Sequence, residues 1–155
     1  MQRPSMFEFA GGRRAFLRLA AAHHARCLQD PVLEHPFSHP GHPEHVTRLA
    51  DYWAEVFGGP PWFTASCGDH SAMLHLHAEM GAESDLGSRF AACFLGAVED
   101  AALPEHHAFR SSMHAYIAWA VADVMAVSPP GSRVRAGRSV PRWDWDGLVP
   151  APALT

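Results

Sequence analysis

Apolar residues recur at three- and four-residue spacing in every long segment of this 155-residue chain. This spacing predicts helices at about 13–29, 44–57, 67–81, 85–101 and 105–127. Glycine and proline separate the segments, as in the Gly58–Pro61 break. Because no long segment shows the two-residue alternation of a strand, the sequence predicts an all-α fold.

The chain after residue 130 has a different composition, with arginine, proline and the tryptophans Trp143 and Trp145. These two tryptophans are two positions apart, so a helix would not place them on one face. We expect an extended segment that lies on the domain with one tryptophan docked, and partner recognition by the tail is the alternative. The expected organisation is one helical domain at 1–130 and a tail at 131–155.

Composition excludes several classes of protein. A formal net charge of -4 argues against nucleic-acid binding, and the absence of lysine excludes Schiff-base chemistry. The chain has neither a leader-like N-terminus nor about 18 consecutive apolar residues, so we expect a cytoplasmic protein without a membrane segment. Cys27, Cys67 and Cys93 form no C-x-x-C pair, and we expect Cys27 and Cys93 to be small buried core residues.

Histidine is unusually frequent, with twelve residues in the chain. The helix predicted at 67–81 places His77 on an apolar face with Leu74. His24 has small or apolar neighbours one turn away in its own helix, whereas His23 is expected near the edge of the buried face. His45 precedes Leu49 by one turn on the buried side of the next long helix.

Three inward-facing histidines from three helices predict a cavity with polar groups inside, since each buried imidazole needs a hydrogen-bond partner. A di-iron carboxylate bundle would need several inward carboxylates, and the best pair, His75 with Glu79, lies on a polar face. Haem needs one axial imidazole, an aromatic and aliphatic lining and a cation at the propionate edge. His77, the aromatic residues and Arg48 meet these requirements, although an ordinary core role for His77 is the alternative.

At this point the chain resembles a known family, the truncated haemoglobins of group II. The resemblance is carried by ordered segments: Gly11-Gly12, QDPVLEHPF at 29–37, TRL at 47–49, FGGP at 57–60 and HSAMLHLHA at 70–78. It implies a truncated globin domain at 1–130, in which a two-over-two helical sandwich surrounds haem b (iron protoporphyrin IX). The tail from residue 133 onward lies beyond the matched part.

The resemblance also implies roles for individual residues. His77 matches the proximal ligand of the haem iron, and Phe37 matches the aromatic residue that wedges against the porphyrin. Leu49 matches the distal aliphatic residue, His45 the distal-helix position that faces bound ligand, and Arg48 the arginine that pairs with a propionate.

Two positions depart from the family pattern. His24 stands where group II members usually carry a tyrosine, and Phe90 stands where they usually carry a tryptophan. These changes remove the usual oxygen-locking donors and place two imidazoles, His24 and His45, on the distal side as candidate catalytic groups. Further residues expected to line the cofactor are Phe63, Leu74 and Phe90.

The resemblance implies binding of a diatomic ligand such as O2, NO or CO and leaves two functions open. One is redox chemistry, either NO dioxygenation or peroxidase turnover, with His24 or His45 as acid–base group. The other is a non-catalytic oxygen-binding protein or a gas or redox sensor. Since no G-x-G-x-x-G segment is present, any reductase must be a separate protein. A homodimer is the expected form of self-association if the chain associates at all.

Overall fold

A computed structural model describes residues 3–31, 33, 44–66, 86–126 and 139–150. Within these ranges the chain forms six helices and two short strands. In chain order they are α1 (Met6–Ala10), α2 (Arg13–Gln29), α3 (His45–Val56), α4 (Trp62–Ser66), α5 (Leu86–Asp100), α6 (His107–Met125), β1 (Arg142–Asp144) and β2 (Gly147–Val149). The all-α prediction is therefore confirmed, with a small sheet in the tail as its exception.

Local sequence sets the bounds of the first two helices. The Ser5 hydroxyl accepts a hydrogen bond from the backbone N–H of Glu8 at 3.1 Å, which caps α1. Gly11 ends α1 with φ 119° and Gly12 opens α2 with φ 77°. Side chains other than glycine rarely adopt these angles. The Gly-Gly pair therefore lets the chain turn between two helices without a longer loop.

Helix α2 lies at the centre of the described structure and packs against both α3 and α5, while α5 also packs against α6. Large aromatic side chains fill the space between these helices: Phe16, Trp53, Phe57, Phe94, Phe109 and Tyr116. Some of their rings meet edge to face, as for Phe57 and Tyr116 with centroids 4.8 Å apart. The packing of this core determines which faces of α2 and α3 are buried and which remain available for the functional site described below.

The turn between α3 and α4 depends on a buried carboxylate. Glu55 is only 7% exposed and accepts hydrogen bonds from the backbone N–H of Thr64 at 2.9 Å and from its hydroxyl at 2.5 Å. Gly59 lies so close to the carbonyl of Ala54 that a Cβ there would stand 2.8 Å from that oxygen. Together these contacts hold α4 against the end of α3.

Residues 142–149 form an antiparallel hairpin rather than a single extended segment, in which Trp143 pairs with Leu148. Trp143 is 6% exposed and its indole N–H donates to the Ser112 hydroxyl at 3.0 Å. Trp145 donates its indole N–H to the carbonyl of Pro4 at 2.8 Å. The expectation of one docked tryptophan is therefore wrong, because both indoles donate hydrogen bonds to the rest of the domain, one to the last helix and one to the segment before α1.

Candidate functional site

The most deeply buried polar ring in the described part of the chain is that of His23, which is 0% exposed. It meets the rings of Phe90 and Trp53 edge to face, with centroids 4.4 and 5.3 Å away. Its Nε2 lies 3.6 Å from Sγ of Cys27, one turn further along α2. We expected His24 to face inward and His23 to lie near the edge of the buried face. The structure corrects this expectation, because His23 is the histidine that occupies the core.

The spacing of buried residues along α2 explains this correction. Phe16, Leu19, His23 and Cys27 follow one another at intervals of three or four residues and are all buried. The neighbours used to place His24 inward include Leu28, which is 38% exposed. The predicted centre of the apolar face was therefore displaced by one residue toward the C-terminus. The four-residue spacing of Leu19, His23 and Cys27 in the sequence could have indicated the correct face.

Burial also determines the charge of His23. Desolvation lowers its pKa from 6.5 to about 4, a hydrogen bond to the backbone of Phe90 opposes this shift, and the charges of His24 and His45 lower the pKa further. The imidazole is therefore neutral at neutral pH.

His24 and His45 come together between α2 and α3, with ring centroids 5.4 Å apart. His24 is partly buried, whereas His45 is the first residue of α3 and is exposed. The expectation that His45 faces a buried interior is thus corrected. Because one imidazole is half-buried and its neighbour is exposed, the pair lies at the boundary between the helical core and its surroundings.

The other expected lining residues within the described ranges differ in how deeply they are buried. Leu49 and Phe90 are partly buried and pack against the hydrophobic core. Arg48 is also partly buried and lies beside Leu49 on α3. Phe63, in contrast, is 5% exposed and packs edge to face on Tyr52 at 5.1 Å.

Phe37, Leu74 and His77 lie outside the described residues, as does the helix predicted at 67–81. Their roles as porphyrin wedge, cofactor lining and proximal ligand therefore stay predictions. In the described ranges, no three His, Cys, Asp or Glu side chains are grouped so that they could hold a metal ion. None of the helices in those ranges combines the length and apolarity needed to cross a membrane.

Comparisons with known proteins agree on one family. The model for bacterial-like globins matches residues 5–123. Among solved structures, a hemoglobin from the thermophilic phototrophic bacterium Chloroflexus aurantiacus is 26% identical, with a TM-score of 0.69, and the match covers 79% of this chain and 98% of that one. A thermostable hemoglobin from the actinobacterium Thermobifida fusca is 25% identical, with a TM-score of 0.67 and coverages of 82% and 99%.

The group II truncated hemoglobin of Bacillus anthracis has a similar fold, with 20% identity, a TM-score of 0.70 and coverages of 88% and 98%. No curated protein sequence matches the chain. The family match spans most of the helical part and includes α1 to α5. The resemblance to truncated haemoglobins that the ordered motifs predict is confirmed, and the chain belongs to the bacterial-like globin family.

Proposed function

We propose that this globin binds haem b through His77 and takes a diatomic ligand on the side of His24 and His45, where it carries out redox chemistry on NO or peroxide. Membership of the globin family supports haem-based binding of small gas ligands. The observation that carries the finer proposal is the pair of imidazoles 5.4 Å apart at the boundary of the core.

The residues around this pair are chemically suited to a haem. Leu49 and Phe90 supply apolar surface that their own packing leaves only partly covered. Arg48 supplies a cation on the same helix as Leu49, in keeping with a propionate partner. When bound, haem b would supply an iron centre that takes a small ligand and exchanges electrons. A separate reductase would provide those electrons.

The part played by the chain itself is proton transfer and hydrogen bonding. A neutral imidazole of His24 or His45 can accept a proton from peroxide at one ring nitrogen and return it to the departing oxygen. The N–H of the other imidazole can donate a hydrogen bond to a polar ligand in the same place. His23 is neutral and enclosed by Phe90 and Trp53, so it shapes the wall behind His24 rather than contacting the ligand.

Absorption spectroscopy of the purified protein tests haem binding directly. A Soret band that shifts on reduction and again with carbon monoxide would demonstrate haem with an accessible ligand site. Loss of bound haem in His77→Ala would assign the proximal ligand, whereas His114→Ala on the exposed side of α6 is the matched control. A colourless protein that takes up no added haem would refute the proposal.

Rapid-mixing kinetics with NO or hydrogen peroxide test the redox part. We expect the double variant His24→Leu/His45→Leu to lose turnover, and each single variant to lose part of it. Unchanged turnover in the double variant would exclude the two imidazoles as acid–base groups. A stable oxygen complex that does not react with NO would instead favour oxygen binding or sensing without turnover.

A further inference from the structure

Two thiols from different helices meet on the side of α2 that carries His23. Cys27 of α2 is 0% exposed and Cys93 of α5 is 8% exposed, and both are free. They belong to one small cluster of buried residues, which they form together with Leu33. The proposed haem function uses neither cysteine, so the contact needs a separate explanation.

The two sulfur atoms have different surroundings. Nδ1 and Nε2 of His23 lie 3.7 and 3.6 Å from Sγ of Cys27, so the inner thiol is in contact with a neutral imidazole. Burial is the largest influence on the outer thiol of Cys93 and raises its pKa, and the charge of Asp30 acts in the same direction. The guanidinium groups of Arg26 and Arg89 oppose this shift in part, because positive charge favours the thiolate.

Carboxylates hold both arginines near the outer thiol. Arg26 binds Asp100 through two nitrogens, and Arg89 binds both oxygens of Asp30 at 3.2 Å. Arg26 lies on α2 and its partner Asp100 lies on α5, whereas Arg89 lies on α5 and its partner Asp30 follows the end of α2. Both ion pairs therefore connect the two helices and keep the guanidinium groups in place.

We propose that Cys27 and Cys93 are an oxidisable thiol pair, which hydroperoxides convert into a disulfide that joins α2 to α5. The Cys93 thiol first releases its proton to solvent, and the thiolate attacks one oxygen of hydrogen peroxide, so that an S–O bond forms and the O–O bond breaks. The other oxygen leaves as hydroxide, which takes up a proton from solvent and becomes water. The Cys27 sulfur then attacks the Cys93 sulfur, an S–S bond forms, the S–O bond breaks, and the hydroxyl group leaves as a second water.

In the second step Cys27 loses its proton to hydroxide from solvent, and the departing hydroxyl takes up a proton from solvent. Altogether two thiols and one hydrogen peroxide give one disulfide and two waters, with two electrons passing from sulfur to oxygen. Burial is the largest cause that raises the pKa of both thiols, so both stay protonated at neutral pH. The reaction is therefore slow at neutral pH and becomes faster at alkaline pH.

The bond would connect the two helices that carry the candidate site. Cys27 lies one turn beyond His23 and His24 on α2, and Cys93 lies one turn beyond Phe90 on α5. Oxidation would fix the spacing of these helices and thereby alter ligand access. This consequence rests on the proposed haem function, whereas formation of the disulfide does not.

The experiment uses the full chain, loaded with haem if it binds haem, in a Cys67→Ser background that leaves two thiols. After exposure to hydrogen peroxide and removal of the excess with catalase, free thiols are counted by alkylation in denaturant and the intact mass is measured. We expect both thiols to disappear together, a mass lower by two hydrogen atoms, and recovery of both thiols with a reductant. The rate should rise about tenfold per pH unit while the thiols are mostly protonated.

Two variants in the same background separate the roles of the sulfurs. In Cys27→Ser, the first step should still occur and leave a sulfenic acid at Cys93 that a dimedone probe captures. In Cys93→Ser, Cys27 should stay reduced over the same period. Two persistent thiols in the parent, or oxidation that links two chains instead of one, would overturn the proposal. If the variants fail to fold, the thiol count and mass of the parent alone decide it.

Discussion

Replacement of His23 by leucine should make the free energy of unfolding less dependent on pH. Leucine is similar in volume and apolar, so it can occupy the space among Trp53, Phe90 and Cys27 without titrating. At neutral pH we expect a loss of about 1–3 kcal/mol in the free energy of unfolding, because the backbone acceptor at Phe90 loses its hydrogen bond. The test of the reasoning is how much this free energy of unfolding changes when the pH is lowered.

The magnitude follows from the pKa of His23, which burial lowers from 6.5 to about 4. Between these two values the unfolded chain binds a proton at this histidine and the folded chain does not, so stability falls as the pH falls. The difference in pKa corresponds to about 3 kcal/mol, which the wild type loses between pH 7 and pH 4 and the variant does not.

Urea unfolding at several values across this pH range, followed by circular dichroism, measures the effect. His114→Leu is the matched control, because His114 is exposed on α6 and should contact solvent in both the folded and unfolded chain. The reasoning is refuted if wild type and His23→Leu lose equal stability on acidification.

Three further substitutions test contacts in the rest of the fold. Trp143→Phe removes the hydrogen bond to Ser112 and part of a buried ring, so thermal unfolding should show a loss of about 1–3 kcal/mol. Thr64→Val leaves the buried carboxylate of Glu55 without its hydroxyl donor; we expect a loss of about 1–3 kcal/mol in urea, which Thr64→Ser should largely avoid. Gly59→Ala forces a Cβ against a backbone carbonyl and should lower the urea midpoint; an unchanged midpoint would contradict the close approach.

In the ranges that the structure describes, helix positions could be predicted from the sequence where the periodicity was long. The bounds of α2 agree with the predicted range of 13–29, and α3 falls within one residue at each end of the predicted 44–57. Helix α4 was missed because five residues cover little more than one turn, too few to show a period. Its position depends on the contact between Glu55 and Thr64, which the local sequence does not reveal.

The tail hairpin escaped prediction for a related reason. Strands of three residues cannot display an alternation that distinguishes them from an irregular segment, and two-stranded sheets are marginal without packing. The stabilising contacts join Trp143 to α6 and Trp145 to the segment before α1. They link residues far apart in the chain, so only the folded structure reveals them.

The proximity of His24 to His45 could be predicted from the sequence, whereas the question of which residue, His23 or His24, faces the core could not; the roles of the expected site residues stay predictions. His24 and His45 were correctly associated with one another, since their rings are 5.4 Å apart. Which of two adjacent histidines enters the core was misjudged, because neighbouring residues on a helix differ by only about 100° and the centre of the buried face depends on what packs there. Here Trp53 and Phe90 enclose His23.

The docked hairpin has a consequence for the order in which the chain folds. The contact between Trp145 and Pro4 spans 141 positions, so closing it costs chain entropy that local helix formation does not. During synthesis the hairpin leaves the ribosome after α1 to α6, which allows the helices to pack before it arrives. Its two indoles then join the segment before α1 to α6, and we therefore expect docking of the hairpin to be a late step in folding.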